Sequence, residues 1–368
     1  MNISATTLTQ TTDVARAHAP GKLILSGEHS VVYGAPALAV AVRQFTEVWF
    51  KPIRLSDGLS TVFKDISQRE FYPLKLLSGF KQSLDRRFDQ FVKGELPVQK
   101  ILQRPDDLAV YTLVSLMQHS PIPGVAAMGK LPAPGQLGSN SSLPIGAGMG
   151  SSSATIAATF VLFENLLELP QTERERFERV RACDRLQHGK VGSIDAATVV
   201  HGGLVRAHGE NIEHPAIDPT HGLLTGEGWY WVLHGLPESS TGECVSAVRE
   251  GHGHDTSLWD GFADCTKALQ SALENGADVS DIIRENHKLL VRIGVVPQSA
   301  QDFVSAVEAS GGAAKICGAG SVAGDKGGMV LVHMPEPDAI HKLMADKTGL
   351  RWAPLRVAEN GASWGPAP

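Results

Sequence analysis

The sequence predicts a mixed α and β fold divided into two or three domains, on three observations. The chain has 368 residues, and domains average about 150 residues. Short β-branched apolar segments, such as Ala35–Trp49 and Met329–His333, alternate with segments whose apolar residues recur at helical spacing. A polar stretch from Gly209 to Gly228, holding two prolines and four glycines, reads as an inter-domain boundary. The 42% hydrophobic content is ordinary for a chain that buries sizeable cores.

Taken in order, Met1 to Asp13 is Thr-rich, lacks a basic-then-apolar leader, and reads as a disordered tail. Val14 to Leu25 carries a strand signal broken at Pro20-Gly21, and Ala35 to Trp49 a second strand. Asp57 to Phe71 mixes polar and apolar residues without a clear period. From Pro73 to Phe91, Leu76, Phe80, Leu84, Phe88 and Phe91 fall at helical spacing. Leu108–Met117 reads as a buried helix, and Ile122–Ser141, rich in Gly and Pro, as loop with short strands. Thr155–Leu169 reads as a second buried helix. Thr172 with Glu175 fits a capping box, opening a helix that ends near His188-Gly189. Ile194–Ala207 reads as a helical turn followed by a strand, Tyr230–Leu236 as a strand, and the chain from Glu243 as largely helical, with breaks at Gly251 to Gly253 and at Gly276. Ala314–Ile316 and Met329–His333 are strand-like and flank a long glycine loop.

Bulk properties exclude several functions. With 33 basic and 39 acidic residues the net charge is −6, which argues against nucleic-acid binding through bulk charge. Cys183, Cys244, Cys265 and Cys317 lie far apart with no C-x-x-C, so neither a zinc cluster nor a disulfide framework is expected. No apolar run approaches the roughly 18 residues of a membrane span. The expectation is a cytoplasmic protein with no membrane partner.

Four segments carry chemistry. In Ser142-Leu-Pro-Ile-Gly-Ala-Gly-Met-Gly-Ser-Ser-Ser-Ala154, three alternate glycines run into three serines and an apolar helix. Glycines turn backbone N–H groups toward one point, and a helix start adds unpaired N–H groups, which together suit a phosphate. The loop has no Lys, so it is not a Walker A sequence; a plain structural turn is its other reading. In Ala19-Pro-Gly-Lys-Leu-Ile-Leu-Ser-Gly-Glu-His-Ser-Val-Val-Tyr-Gly34, Lys22, Glu28 and His29 cluster around a strand end, as a polar site or as a solvated hairpin. Lys315-Ile-Cys-Gly-Ala-Gly-Ser-Val-Ala-Gly-Asp-Lys-Gly-Gly328 holds more glycine than a hairpin needs, and can wrap a ligand or form a surface loop. Asp184 and Asp195 are separated by the turn-forming Gly189, Gly192 and Ser193. Asp184 has Arg181 and Arg185 as ready surface partners, whereas Asp195 sits in an apolar run where an idle carboxylate is costly.

Together these segments resemble the GHMP kinases, and within that family the mevalonate-phosphorylating members. The resemblance runs through Pro144–Ala154, Gly21–Gly34, Asp184 to Gly189, Ser193–Asp195, the Thr241 segment and Asn286–Gly320. It implies an α+β, two-domain GHMP kinase fold: an N-terminal ribosomal protein S5 domain 2-like unit (14–220), a C-terminal ferredoxin-like unit (221–368), and an active site in the cleft between them. It implies ATP and Mg²⁺ as cofactors, and transfer of phosphate to the primary hydroxyl of mevalonate for isoprenoid synthesis. By motif position, Pro144, Gly146, Ala147, Gly148, Met149, Gly150, Ser151, Ser152 and Ser153 would bind ATP. Ser152 and Asp184 would ligate the metal, and Asp195 with Lys22 would be catalytic. Lys22, Glu28, His29, Asp195, Thr241, Gly318 and Ala319 would contact the acceptor. The partners implied are small molecules, with room for a homodimer.

Two departures bear on this. The metal carboxylate, usually Glu in the family, is here the shorter Asp184, and Mg²⁺ readily keeps waters between itself and such a group. In the third motif Cys317 replaces Thr and the loop is longer, with Asp325 and Lys326 added. Cys317 reads as a small packing residue rather than a nucleophile. Other acceptors, such as phosphomevalonate or a different hydroxyl of mevalonate, stay open, as does a non-catalytic sensor of the same fold. For a phosphorylated acceptor, Lys326 and Arg292 are the candidate cations.

Overall fold

The structure, a computed structural model, describes residues 14–53, 56–63, 69–118, 134–189 and 192–368. The expected tail 1–13 and residues 122–133 of the expected loop Ile122–Ser141 lie outside the described residues.

The N-terminal part is a mixed sheet with helices packed on it. Its strands are β1 (Ala15–Ser26), β2 (Ala37–Pro52), β3 (Gly58–Phe63), β4 (Glu70–Pro73), β5 (Gly135–Ser141), β6 (Leu204–His208) and β7 (Asn211–Glu213). Its helices are α1 (Leu77–Val92), α2 (Asp107–Gln118), α3 (Ser151–Leu166), α4 (Glu173–His188) and α5 (Ile194–His201). The strand order, with the C-terminal β12 (Ser363–Trp364) at one end, is β12-β1-β2-β5-β3-β4, with β6 paired to β2 and β7 to β6; only β3–β5 is parallel among the described pairs. α3 and α5 pack on β1 and β2, and Phe163 of α3 meets Phe50 of β2 edge to face with ring centroids 5.4 Å apart.

Pro20-Gly21 does not end the first strand. β1 passes through it with a slip in register, Pro20 opposite Phe45 and Gly21 opposite Val42. Pro cannot donate to a ladder, so a bulge is where a strand tolerates it. Gly21 has its own reason: a Cβ there would run into the Leu143 side chain of the glycine-serine segment. The ambiguous stretch 57–71 holds β3, which lies inside the sheet between β5 and β4, and the start of β4, the edge strand; their form comes from these pairings rather than from a clear sequence period. α3 begins at Ser151, earlier than the apolar pattern suggested, because left-handed Gly150 starts the helix and the serines fill its first turn.

The C-terminal part is a four-stranded antiparallel sheet, order β11-β8-β10-β9. It contains α6 (Gly222–Thr225), β8 (Trp229–Leu233), α7 (Thr241–His252), α8 (Thr256–Asn275), α9 (Ser280–Arg292), α10 (Gln298–Ala309), β9 (Ala313–Cys317), β10 (Met329–His333), α11 (Pro337–Ala345) and β11 (Arg351–Pro354). From β8 onward this is strand, helices, strand, strand, helix, strand, the βαββαβ order of a ferredoxin-like unit. α9 and α10 pack on β9. The chain crosses from the first sheet to the second within 214–228. It also returns: β12 (Ser363–Trp364) pairs with Ala17 and His18 of β1.

Candidate functional site

The glycine-serine loop is shaped by its glycines. Gly146, Gly148 and Gly150 all have positive φ, at 75°, 88° and 71°. Gly150 caps α3 without a side-chain hydrogen bond, so the first N–H groups of this helix have no cap acceptor. Pro144, Ala147 and Met149 are buried while Gly146 and Gly148 are exposed, so the apolar residues anchor the loop and the glycines present backbone. The anchor to β1 is direct, through Lys22 N–H donating to the Met149 carbonyl at 2.9 Å.

Lys22 lies along this loop. Its Nζ is 2.8 Å from Asp195 Oδ1, the lysine side chain being 4% exposed and the aspartate 33%. A Cβ on Gly150 would stand 2.9 Å from Lys22 Cγ, so the loop's last glycine makes room for the lysine stem. Asp195 occupies the first turn of α5, whose sequence places the acid among apolar neighbours facing the sheet.

Asp184 sits near the end of α4, a helix whose capping box at Thr172 and Glu175 is fully formed. Its carboxylate is buried, and Oδ2 accepts from Ser153 Oγ at 2.7 Å. Ser152, one residue earlier, has its hydroxyl 3.3 Å from His188 Nε2. The same His188 nitrogen is 3.8 Å from Asp184 Oδ1, and that oxygen has no hydrogen-bond partner. Burial pushes the Asp184 carboxyl above the ordinary range; His188 and Ser153 pull it back, and the nearby charge of Asp195 pushes it further up. A buried carboxylate with one bare oxygen, beside a second carboxylate and two serine hydroxyls, fits a divalent cation.

The acceptor-side candidates form a second group. Glu28 makes a buried ion pair with Lys315 of β9. His29 Nε2 is 3.0 Å from the Ala319 carbonyl, and burial holds its pKa below the usual value. The third glycine loop lies against the first: a Cβ on Gly318 would be 3.9 Å from Gly148 Cα, and one on Gly148 would be 3.4 Å from the Cys317 carbonyl. Cys317 is buried and its thiol is pushed up to about 11 by that burial, so it is held as a thiol. Thr241 stands exposed at the first position of α7, behind a Ser240–Glu243 capping box. The contacts that link its neighbourhood to the site run through Ser239, whose N–H donates to Ser321 Oγ at 3.2 Å.

Lys22, Asp195, Asp184, the glycine-serine loop, Glu28, His29, Gly318 and Ala319 are thus tied by a chain of direct contacts, and Thr241 joins only through its neighbours. Cavities of about 460 and 360 Å³ lie elsewhere, on α1 and among α1, α2 and α4; the convergence of loops and charge marks the site better than the size of a hollow. Sequence reading gave no role to His188 or Lys315. His188 is four residues after Asp184 on one helix, a spacing that puts both on one face. Lys315 has no such local signal, since its partner Glu28 is 287 residues away.

Known proteins resemble this chain in sequence and in fold. Residues 114–203 match the family described as GHMP kinases N terminal domain. A mevalonate kinase from Pyrococcus furiosus is 27% identical over 333 residues, covering 83% of this chain and 86% of that one. The crystal structure of the Methanococcus jannaschii mevalonate kinase superposes with a TM-score of 0.75 at 16% identity, covering 95% of this chain and 99% of that one. Streptococcus pneumoniae phosphomevalonate kinase, in complex with phosphomevalonate and AMPPNP, superposes with a TM-score of 0.68 at 15% identity, covering 93% and 99%.

Proposed function

We propose, for a chain that has the GHMP kinase fold and resembles the mevalonate kinases, that it transfers the γ-phosphoryl group of ATP to the primary hydroxyl of mevalonate, giving 5-phosphomevalonate. The observation that carries this reading is the Lys22–Asp195 pair beside the glycine-serine loop. Phosphoryl transfer asks mainly for positioning and charge stabilisation. The N–H groups of 146–153 hold the triphosphate at the start of α3. Asp195, partly open to solvent, accepts or orients the acceptor's hydroxyl proton. Lys22, in its ion pair with Asp195, holds that carboxylate in place and stabilises charge developing on the attacking oxygen. Asp184 with Ser152 and Ser153 would hold Mg²⁺, which when bound neutralises charge on the outer phosphates. Glu28, His29, Gly318, Ala319 and Thr241 belong to the acceptor side.

The choice of acceptor follows the sequence likeness. Of the two candidate cations for a phosphorylated acceptor, Arg292 is engaged with Asp255 at 2.8 Å. Kinases for mevalonate and for phosphomevalonate share this fold, and the sequence likeness to mevalonate kinases favours mevalonate. The units 14–220 and 221–368 are the two halves of the cleft in this reading, with the C-terminal strand β12 returning to the first. Four free, buried cysteines accord with a cytoplasmic setting. No helix among the described residues is long and apolar enough to cross a membrane. The test is purified protein with ATP and Mg²⁺ against mevalonate, phosphomevalonate, homoserine and galactose. ADP release with mevalonate alone is expected; preference for another acceptor would overturn the assignment.

A further inference from the structure

We infer that Lys315 is a positioning residue for the acceptor, acting through Glu28; the inference rests on the phosphotransfer reading of the site. Lys315 projects from β9 of the second sheet, and its side chain is fully buried. Its Nζ makes two contacts, both to the N-terminal part: the Glu28 carboxylate, and the Ile24 carbonyl of β1 at 3.4 Å. The ammonium therefore ties β9 to the end of β1 and to the turn that carries Glu28 and His29. Glu28 Oε1 takes this contact, while Oε2 is buried with no hydrogen-bond partner. A buried carboxylate oxygen without a donor is costly, and an acceptor hydroxyl would relieve that cost.

The surroundings point the same way. β9 continues directly into Gly318 and Ala319, and the Ala319 carbonyl accepts the His29 contact at 3.0 Å. Lys315 and Ala319 thus grip adjacent residues of one turn from the two ends of one short segment. The pair is enclosed by α8 and α9, where Cys265 and His287 feel its charge and both stay neutral: the thiol is pushed up to about 11 and the imidazole down to about 4, burial being the main cause of each. Among these groups Lys315 is the cation that faces the Glu28 carboxylate and fixes its orientation.

The test is a double-mutant cycle on Lys315→Met and Glu28→Gln, read as KM for mevalonate and for ATP with kcat, in the full-length protein. Lys315→Met should raise the mevalonate KM by about 10- to 100-fold, the scale seen when the outer partner of a functional ligand is removed. ATP KM should stay within about twofold, since the glycine-serine loop is untouched. Lys315→Met added to Glu28→Gln should change mevalonate KM no further, because its partner is already neutral. An unchanged mevalonate KM in Lys315→Met, an equal rise in ATP KM, or effects that multiply across the cycle would each overturn the inference. If Lys315→Met does not fold, the comparison of Glu28→Gln with the double variant, whose buried pair is neutral, decides it alone. Absence of turnover in the unsubstituted protein would instead fell the phosphotransfer reading, and this inference with it.

Discussion

The proposed chemistry rests on the Asp195–Lys22 pair. General-base assistance is worth about 10²–10⁴-fold, so Asp195→Asn should lose at least that much turnover, while calorimetry shows ATP binding retained. Gly320 makes a different demand. Its φ is +67°, and a Cβ there would strike the Val295 carbonyl. Gly320→Ala should therefore lower stability by about 1–3 kcal/mol, measured by urea unfolding. The buried histidines set a pH dependence. Burial lowers His287 and His333 to about 4 from 6.5, and lowers His29. Below 6.5 the unfolded chain takes up protons that the folded chain refuses. Stability is therefore full above that value and declines as pH falls toward 4. Melting temperature should drop between pH 7 and 5, and His287→Leu should show a smaller drop over the same interval; an equal drop would reject His287 as a contributor.

Secondary-structure elements show what local pattern can and cannot say. α4 was legible because its capping box, acidic first turn and apolar stripe at Phe177, Val180, Cys183 and Leu186 agree with one another. Thr172→Ala should cost about 1 kcal/mol of stability, read by thermal or urea melts, with little change in turnover because the cap lies at the end of the helix remote from Asp184. The start of α3 was misjudged because three serines and a glycine look like loop, and only the left-handed Gly150 shows that the helix begins there. Gly150→Ala strains that conformation and crowds Lys22, so it should reduce kcat and raise ATP KM together. Gly79, in the first turn of α1 with open space around it, gives the contrast: Gly79→Ala should stabilise by up to about 1 kcal/mol and leave kinetics alone. β11, β12 and α11 carried no readable signal, since their short segments owe their form to partners in the sheets rather than to propensity.

For the whole molecule, the motifs were legible as segments but their assembly was not. The glycine-serine loop, the strand with Lys22 and the two aspartates stand out by residue type. Nothing in the chain says that β9 reaches back to Glu28, or that β12 closes onto β1, because those pairings join residues hundreds of positions apart. Composition was informative about bulk charge and cysteine chemistry, and silent about the acceptor. The bound nucleotide should stabilise the whole fold in proportion to the logarithm of its concentration above Kd. The most direct test is phosphorus NMR of the products formed from ATP, Mg²⁺ and mevalonate by the unsubstituted protein and by Asp195→Asn. The account predicts a new phosphomonoester coupled to the protons of the terminal methylene in the first case, and intact ATP in the second despite binding. A comparable product signal from Asp195→Asn, or phosphate on any other oxygen, would contradict it.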